Sequence, residues 1–156
     1  MVLQCLHVDR HRFVQSQLWL LLQKHRSLTD LTNLKLQKTL YYTQGYFSAE
    51  YDSPLFEEHI VNWAYGPVVP AVYYQYCSYG ASVIVPEKIK SVLEELTEEQ
   101  AKVVYKVIDA CLQFSAGQLV EKTHLETPWK NTSRNQVIEF SDIKNFFESN
   151  DPLKLK

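Results

Sequence analysis

Glycine is scarce, with 4 in 156 residues, well below the usual share of about 7%. Folds built from many tight turns need more glycine, and so do the loops that cradle phosphates. A dinucleotide-binding turn and a P-loop are therefore not expected. Cysteine is also sparse. Cys5, Cys77 and Cys111 are odd in number and far apart, which suits reduced thiols in a cytoplasm and not a disulfide framework. No CxxC pair is present, so a thiolate zinc site is not expected. Long apolar runs are missing as well. The leucine-rich stretch Leu18 to Leu22 is far shorter than the roughly 20 residues that cross a bilayer. Met1 to Arg12 does not read as a leader segment.

Charge of one sign is lacking too. Lys and Arg total 16 against 18 Asp and Glu, a net charge of -2, so a net-basic nucleic-acid binder is not indicated. What the chain does have is aromatic residues: 10 Tyr, 7 Phe and 3 Trp. Tyr and Trp join an apolar body to a polar tip, and both favour protein interfaces. At 46% hydrophobic and 22% charged residues, the composition is globular, and the length suits one domain.

No linker, repeat or low-complexity segment divides the chain. Asp9 is placed to cap a first helix to about His25, with Val14, Leu18, Leu21 and His25 at helical spacing and Trp19, Leu20 and Leu22 widening the apolar surface. Thr32 or Asn33 caps a second helix to about Ala49. On it Leu36, Leu40, Thr43 and Phe47 form a core stripe. Lys35, Lys38, Tyr42 and Tyr46 form a second face, about 130° away.

Further on, Leu55 to Trp63 reads equally as short helix or extended chain, and the Trp63 to Pro70 segment as a rigid corner that packs Trp63 into the core. Pro67 or Pro70 suits a helix start, and Gly80 a stop after Tyr79. Ser82 to Val85 is the best strand candidate. Glu87 to Leu96 reads as a short helix. Thr97 with Gln100, and Ser115 with Gln118, are capping boxes that open two more helices. Val104, Val107, Ile108 and Cys111 form one apolar stripe, Thr127-Pro128-Trp129 is a stop, and Ser141 caps a last helix holding Ile143, Phe146 and Phe147. The expected fold is mainly α, a compact single-domain helical bundle with at most one small two-stranded β element.

Chemical constellations are weak. His7 and His11 stand four apart, but Val8 occupies the place of the glutamate in the zinc-protease pattern. Cys111 and His124 make a formal nucleophile and base, yet Cys111 lies on the apolar stripe, where a cysteine behaves as a small hydrophobe. Ser115 lacks the strand-turn-helix setting of a nucleophile elbow. Glu57-Glu58, Glu94-Glu95 and Glu98-Glu99 come as adjacent pairs, which do not face each other on a helix. No catalytic, metal or cofactor residue is assigned, and a hydrolase working through His124 ranks last among the readings. The Lys35/Lys38/Tyr42/Tyr46 face has three readings: an exposed helix face whose lysine stems cover apolar rings, a docking face with tyrosine anchors and steering cations, or Tyr42 and Tyr46 packed under a neighbouring helix of the same domain.

Several segments, taken in order, resemble one family. They are Leu34 to Tyr46, Pro54-Leu55-Phe56, Asn62 to Pro70, Tyr79-Gly80, Thr123-His124, Pro128-Trp129 and the Ile143 to Phe147 helix. Together they look like the Panacea domain, also called the SocA-like antitoxin domain, over about Leu28 to Phe147. Thr39, Tyr46 and Asn62 depart from the family's usual residues. The implied division is an N-terminal arm and first helix over 1–27, a Panacea-like domain over 28–150 and an exposed tail over 151–156. The resemblance implies a non-enzymatic, cytoplasmic antitoxin of a bacterial or prophage pair that binds a cognate protein toxin encoded by a neighbouring gene. The alternative is an adaptor that presents a bound protein to a cytoplasmic protease. Neither a nucleic acid nor a membrane is an expected partner, and a homo-oligomer remains open. Candidate toxin-binding residues are Lys35, Lys38, Tyr42 and Tyr46, with Tyr65, Pro67, Val68, His124 and Trp129 beside them.

Overall fold

Helix α1, Asn33–Tyr51, is the hub of the fold. A computed structural model describes residues 31–84 and 96–156. The expected helices over Asp9–His25 and Glu87–Leu96, and the pair His7 and His11, lie outside the described residues, apart from Leu96 itself. Thr32 caps α1, its side chain accepting from the Lys35 N–H. Fifteen of the 19 residues of α1 are buried. The helix therefore has no solvent face of any width, and its polar residues go inside with its leucines.

A β-hairpin follows. Strands β1, Val61–Trp63, and β2, Gly66–Val68, pair antiparallel with Trp63 opposite Gly66. The tight turn needs Gly66, whose φ is +99°. A Cβ there would also sit 2.6 Å from Thr123 Oγ1 and 2.8 Å from Lys38 Cε, so the glycine permits both the backbone angle and the close approach. The Trp63–Pro70 corner is thus a hairpin leading into helix α2, Pro70–Tyr76, which opens on Pro70. A single turn of 3₁₀ helix, Cys77–Tyr79, stops at Gly80 as expected. Residues 135–138 run along the free edge of β1, with Asn62 N–H donating to Gln136 O at 3.0 Å and Ile138 N–H to Ile60 O at 2.8 Å.

Helix α3, Glu98–Leu112, and helix α4, Ala116–Leu125, begin with the two expected capping boxes, both complete. Helix α5, Thr127–Lys130, is a single turn, so Thr127-Pro128 restarts a helix where a stop was expected. Helix α6, Phe140–Ser149, has Glu139 at its N-cap, two residues before the expected Ser141. Of the expected Ser82–Val85 strand, Val85 lies outside the described residues, and residues 82–84 form one bridge, Thr32 to Val83. The β element of the fold is the hairpin instead, so among the described residues the architecture is six α-helices and one two-stranded sheet, gathered on α1.

Helix α1 packs against α3, α4, α6 and β2. The core unites Leu36, Leu40 and Phe47 of α1 with Val104, Ile108 and Cys111 of α3, Leu119 of α4, and Ile143 and Phe147 of α6. Phe147 lies edge-on to three tyrosines of α1: Tyr41 at 5.6 Å, Tyr42 at 6.0 Å and Tyr46 at 5.0 Å between ring centroids. Its ring fills the space over Gly45, where any Cβ would overlap it. Trp63 departs from expectation, being half-buried beside the hairpin turn. The 151–156 segment is not a free tail. Leu153 is buried, its N–H donates to Tyr46 Oη at 2.8 Å, and Asp151 accepts from Tyr46 Oη at 2.6 Å.

Candidate functional site

Lys35, Lys38, Tyr42 and Tyr46 are buried, so they form no exposed docking face. The wheel separates them correctly from the Leu36/Leu40 stripe, but a helix enclosed on every side has no spare face to offer. For Tyr42 and Tyr46 the fold adopts packing within the domain, and it buries Lys35 and Lys38 as well, against both exposed-face readings.

The buried polar groups of α1 tie other parts of the chain to it. The Lys38 ammonium donates to Pro67 O of the hairpin at 2.8 Å. Gln37 accepts from the Val69 N–H at 2.9 Å. Gln44 donates to Phe56 O and accepts from the Leu55 N–H. Lys35 reaches Leu112 O, at the C-terminus of α3, where a helix favours a cation. Tyr41 and Tyr42 donate to the two carboxylate oxygens of Glu126, at 2.9 and 2.7 Å. Buried polar groups are tolerated only when paired in this way.

Burial dominates the electrostatics. It pushes the Lys38 ammonium down to about 7 and the Glu126 carboxyl up to about 7. In Glu126 the Tyr42 and Tyr41 hydrogen bonds work against burial without cancelling it. Both phenols are raised, by burial first and by the Glu126 charge second. Burial likewise raises the Cys111 thiol to about 12. Such a thiol is a poor nucleophile at neutral pH, since the thiolate is the reactive form.

The remaining candidates meet at the hairpin. His124 stacks on Trp129 with centroids 4.1 Å apart and planes 17° apart. Trp129 Nε1 donates to Trp63 O at 3.0 Å. Burial and then the Lys38 cation hold the His124 imidazole below its ordinary value, although a backbone hydrogen bond with Ala64 works the other way. Pro67 and Val68 are buried in β2. Lys38, Pro67, His124 and Trp129 therefore share one junction behind the hairpin, while Tyr42 and Tyr46 belong to the Glu126 and Asp151 side of the core. Of the nine candidates Tyr65, 69% exposed at the turn, is the most exposed, His124 and Trp129 are half-buried, and the other six are buried.

Tyr65 marks an aromatic face. Tyr74 on α2 is 64% exposed, and its ring lies 6.1 Å from that of Trp63 and 5.5 Å from that of Tyr73. Between hairpin, α2 and the start of α1 lies a cavity of about 510 Å³, lined by Leu34, Trp63, Tyr65, Val68, Tyr73 and Arg134 among others. Nothing in the sequence singles out Tyr73 and Tyr74, which sit inside an ordinary helical stretch. Glu126 was passed over because nothing local announces two phenols arriving from α1.

The family described as Antitoxin SocA-like, Panacea domain, matches residues 36–130. The chain belongs to this family. Antitoxin SocA of Caulobacter vibrioides (strain NA1000 / CB15N) is 32% identical over 121 residues, which cover 70% of this chain. The same stretch spans 64% of the length of that relative. No solved structure matches the chain. Within this Panacea domain the matched residues take in the Lys38–Pro67 mount, the Tyr41/Tyr42–Glu126 cluster and the whole aromatic face. Phe147 and Asp151, which close over the tyrosines, lie beyond them. No described helix is long and apolar enough to cross a membrane.

Proposed function

We infer that this chain is an antitoxin that neutralises a cognate protein toxin, encoded by a neighbouring gene, by direct binding. Membership of the Panacea family carries the reading, and the relative named an antitoxin supports it. The physical layout is in keeping with it. The buried lysines and tyrosines of α1 are spent on holding the fold, and the two most exposed aromatic residues, Tyr65 and Tyr74, lie on the hairpin and α2. Large aromatics left in solvent give contact area at low conformational cost. The binding face is accordingly the hairpin and α2, with Tyr65 and Tyr74 as anchors. The lysines and tyrosines of α1 act from behind it by fixing the hairpin.

Co-expression with the product of the neighbouring gene tests this. Growth should be restored by the wild-type chain, and the two proteins should co-purify. If growth is restored without a stable complex, or if the partner is degraded faster in its presence and rescue disappears in a protease-deficient host, neutralisation by occlusion is wrong. The protease-adaptor reading would then replace it.

A further inference from the structure

We propose that the cavity between the hairpin and α2 is a docking groove for an acidic, aromatic-containing segment of a protein partner. This rests on reading the chain as a protein-binding domain, and it holds whether or not the partner is a toxin. The argument starts from the lining. Leu34, Trp63, Val68 and Tyr73 give an apolar wall, and Tyr65 stands over it at the turn. A volume of about 510 Å³ falls within the ordinary range for a ligand pocket and suits one or two large side chains.

The polar floor is already satisfied from within. Asn33 donates to Tyr73 O at 3.0 Å, and Gln37 donates to Asn33 Oδ1 at 2.9 Å while accepting from the Val69 N–H. A ligand gains little from these groups. Arg134 is different. It is the one charged residue of the lining, it is exposed, and it makes no ion pair among the described residues. Behind the wall the buried Lys38 lies against Pro67 and Gly66 of the hairpin, so the standing charge of the groove is that of Arg134. An apolar pocket with a cation at its edge selects an apolar or aromatic side chain next to a carboxylate. Another cavity among the described residues, of about 400 Å³, has a different character, with Glu57, Glu58, His59 and Glu139 around Ile60, Val137 and Phe140. Charge therefore separates the two surfaces.

The test uses the full chain and a short fluorescent peptide in which a Leu-Phe pair is flanked by aspartates, beside a control flanked by lysines. The aspartate peptide should bind and the lysine peptide should bind at least about tenfold more weakly. Arg134→Glu should weaken the aspartate peptide by about tenfold or more. The Lys130→Glu variant, an equal charge change at another exposed site, should alter it less than about twofold. Both variants should keep the wild-type melting curve. Equal binding of the two peptides, or an Arg134→Glu variant that binds like wild type, overturns the proposal. So does binding that emerges only when Leu18 and Leu21 are both changed to Asp, since the groove's occupant would then be this chain's own N-terminal segment. These outcomes stand apart from growth rescue, so the groove and the antitoxin reading can fail separately.

Discussion

Helix α1 buries two lysines, three tyrosines and two glutamines, whereas the hairpin and α2 leave Tyr65 and Tyr74 mostly in solvent. The two regions touch, at Lys38 and Pro67, yet they follow opposite rules. In α1 each of these polar groups has found a specific partner, and the partners are mostly loop backbone or a distant carboxylate. This is how a chain with only 4 glycines holds its irregular segments in place: side chains of one helix reach out and fix them. At the hairpin the aromatic rings pack on one another and stop short of the core. One region spends its chemistry on the fold and the other keeps it available.

The largest effect that sharpens this contrast belongs to Phe147. It closes over three tyrosines of α1, and Phe147→Ala should cost about 3–5 kcal/mol. Urea denaturation followed by circular dichroism measures it. A loss below about 1 kcal/mol would show that α6 is not part of the same cooperative core.

The next effect reads the buried charges. Glu126 titrates near 7 in the fold against an ordinary 4.5. The folded state thus holds its proton longer than the unfolded state, so stability should fall as pH rises from 4.5 to 7, by up to about 3 kcal/mol. Lys38 titrates near 7 against an ordinary 10.5. Here the unfolded state holds the proton longer, and stability should rise with pH above 7. Ionisation of the raised tyrosines in the unfolded chain reverses that rise near pH 10. Glu126→Gln should flatten the acid limb and Lys38→Met the alkaline limb of a plot of urea midpoint against pH. A wild-type midpoint that does not change between pH 5 and about 9 would mean that neither group is as enclosed as the fold makes it.

Much of this was legible in the chain. The Leu36/Leu40/Phe47 stripe, the two capping boxes, the Val104 to Cys111 stripe and the Gly80 stop all follow from local rules, and local rules held. Periodicity failed at α1 because it reports the direction of a side chain and not what lies there. Lys38 and Tyr42 were set on a separate face correctly, but Glu126 and Pro67, distant in sequence, cover that face. The hairpin was missed for a related reason. Its strands have three residues each, too few for alternation to show, and the turn glycine Gly66 was read as part of a corner.

Trp63 tests the border between the two regions. Its ring contacts Tyr73 at 5.0 Å and Tyr74 at 6.1 Å, and it is half-buried. The bond from Trp129 goes to its backbone carbonyl and survives truncation. Trp63→Ala should therefore cost about 1–2 kcal/mol, less than the 3–5 kcal/mol of a fully enclosed aromatic ring. A cost as large as that of Phe147→Ala would place the aromatic face inside the cooperative core and weaken its claim to be a free surface.

The smallest expected effect on the fold is the most informative about binding. Tyr65 and Tyr74 are exposed, and neither hydroxyl has a hydrogen-bond partner among the described residues. Changing both to Ser removes ring area that is mostly in water already. The unfolding free energy should move by no more than about 0.5 kcal/mol. Partner affinity should respond quite differently, because anchors at the centre of an interface commonly carry 2 kcal/mol or more each. The double variant should then keep its melting curve and lose growth rescue against the neighbouring gene product. Retained rescue with unchanged affinity would move the binding surface away from the hairpin. A collapsed melting curve would instead mean that the aromatic face supports the fold as α1 does, and the contrast between the two regions would disappear.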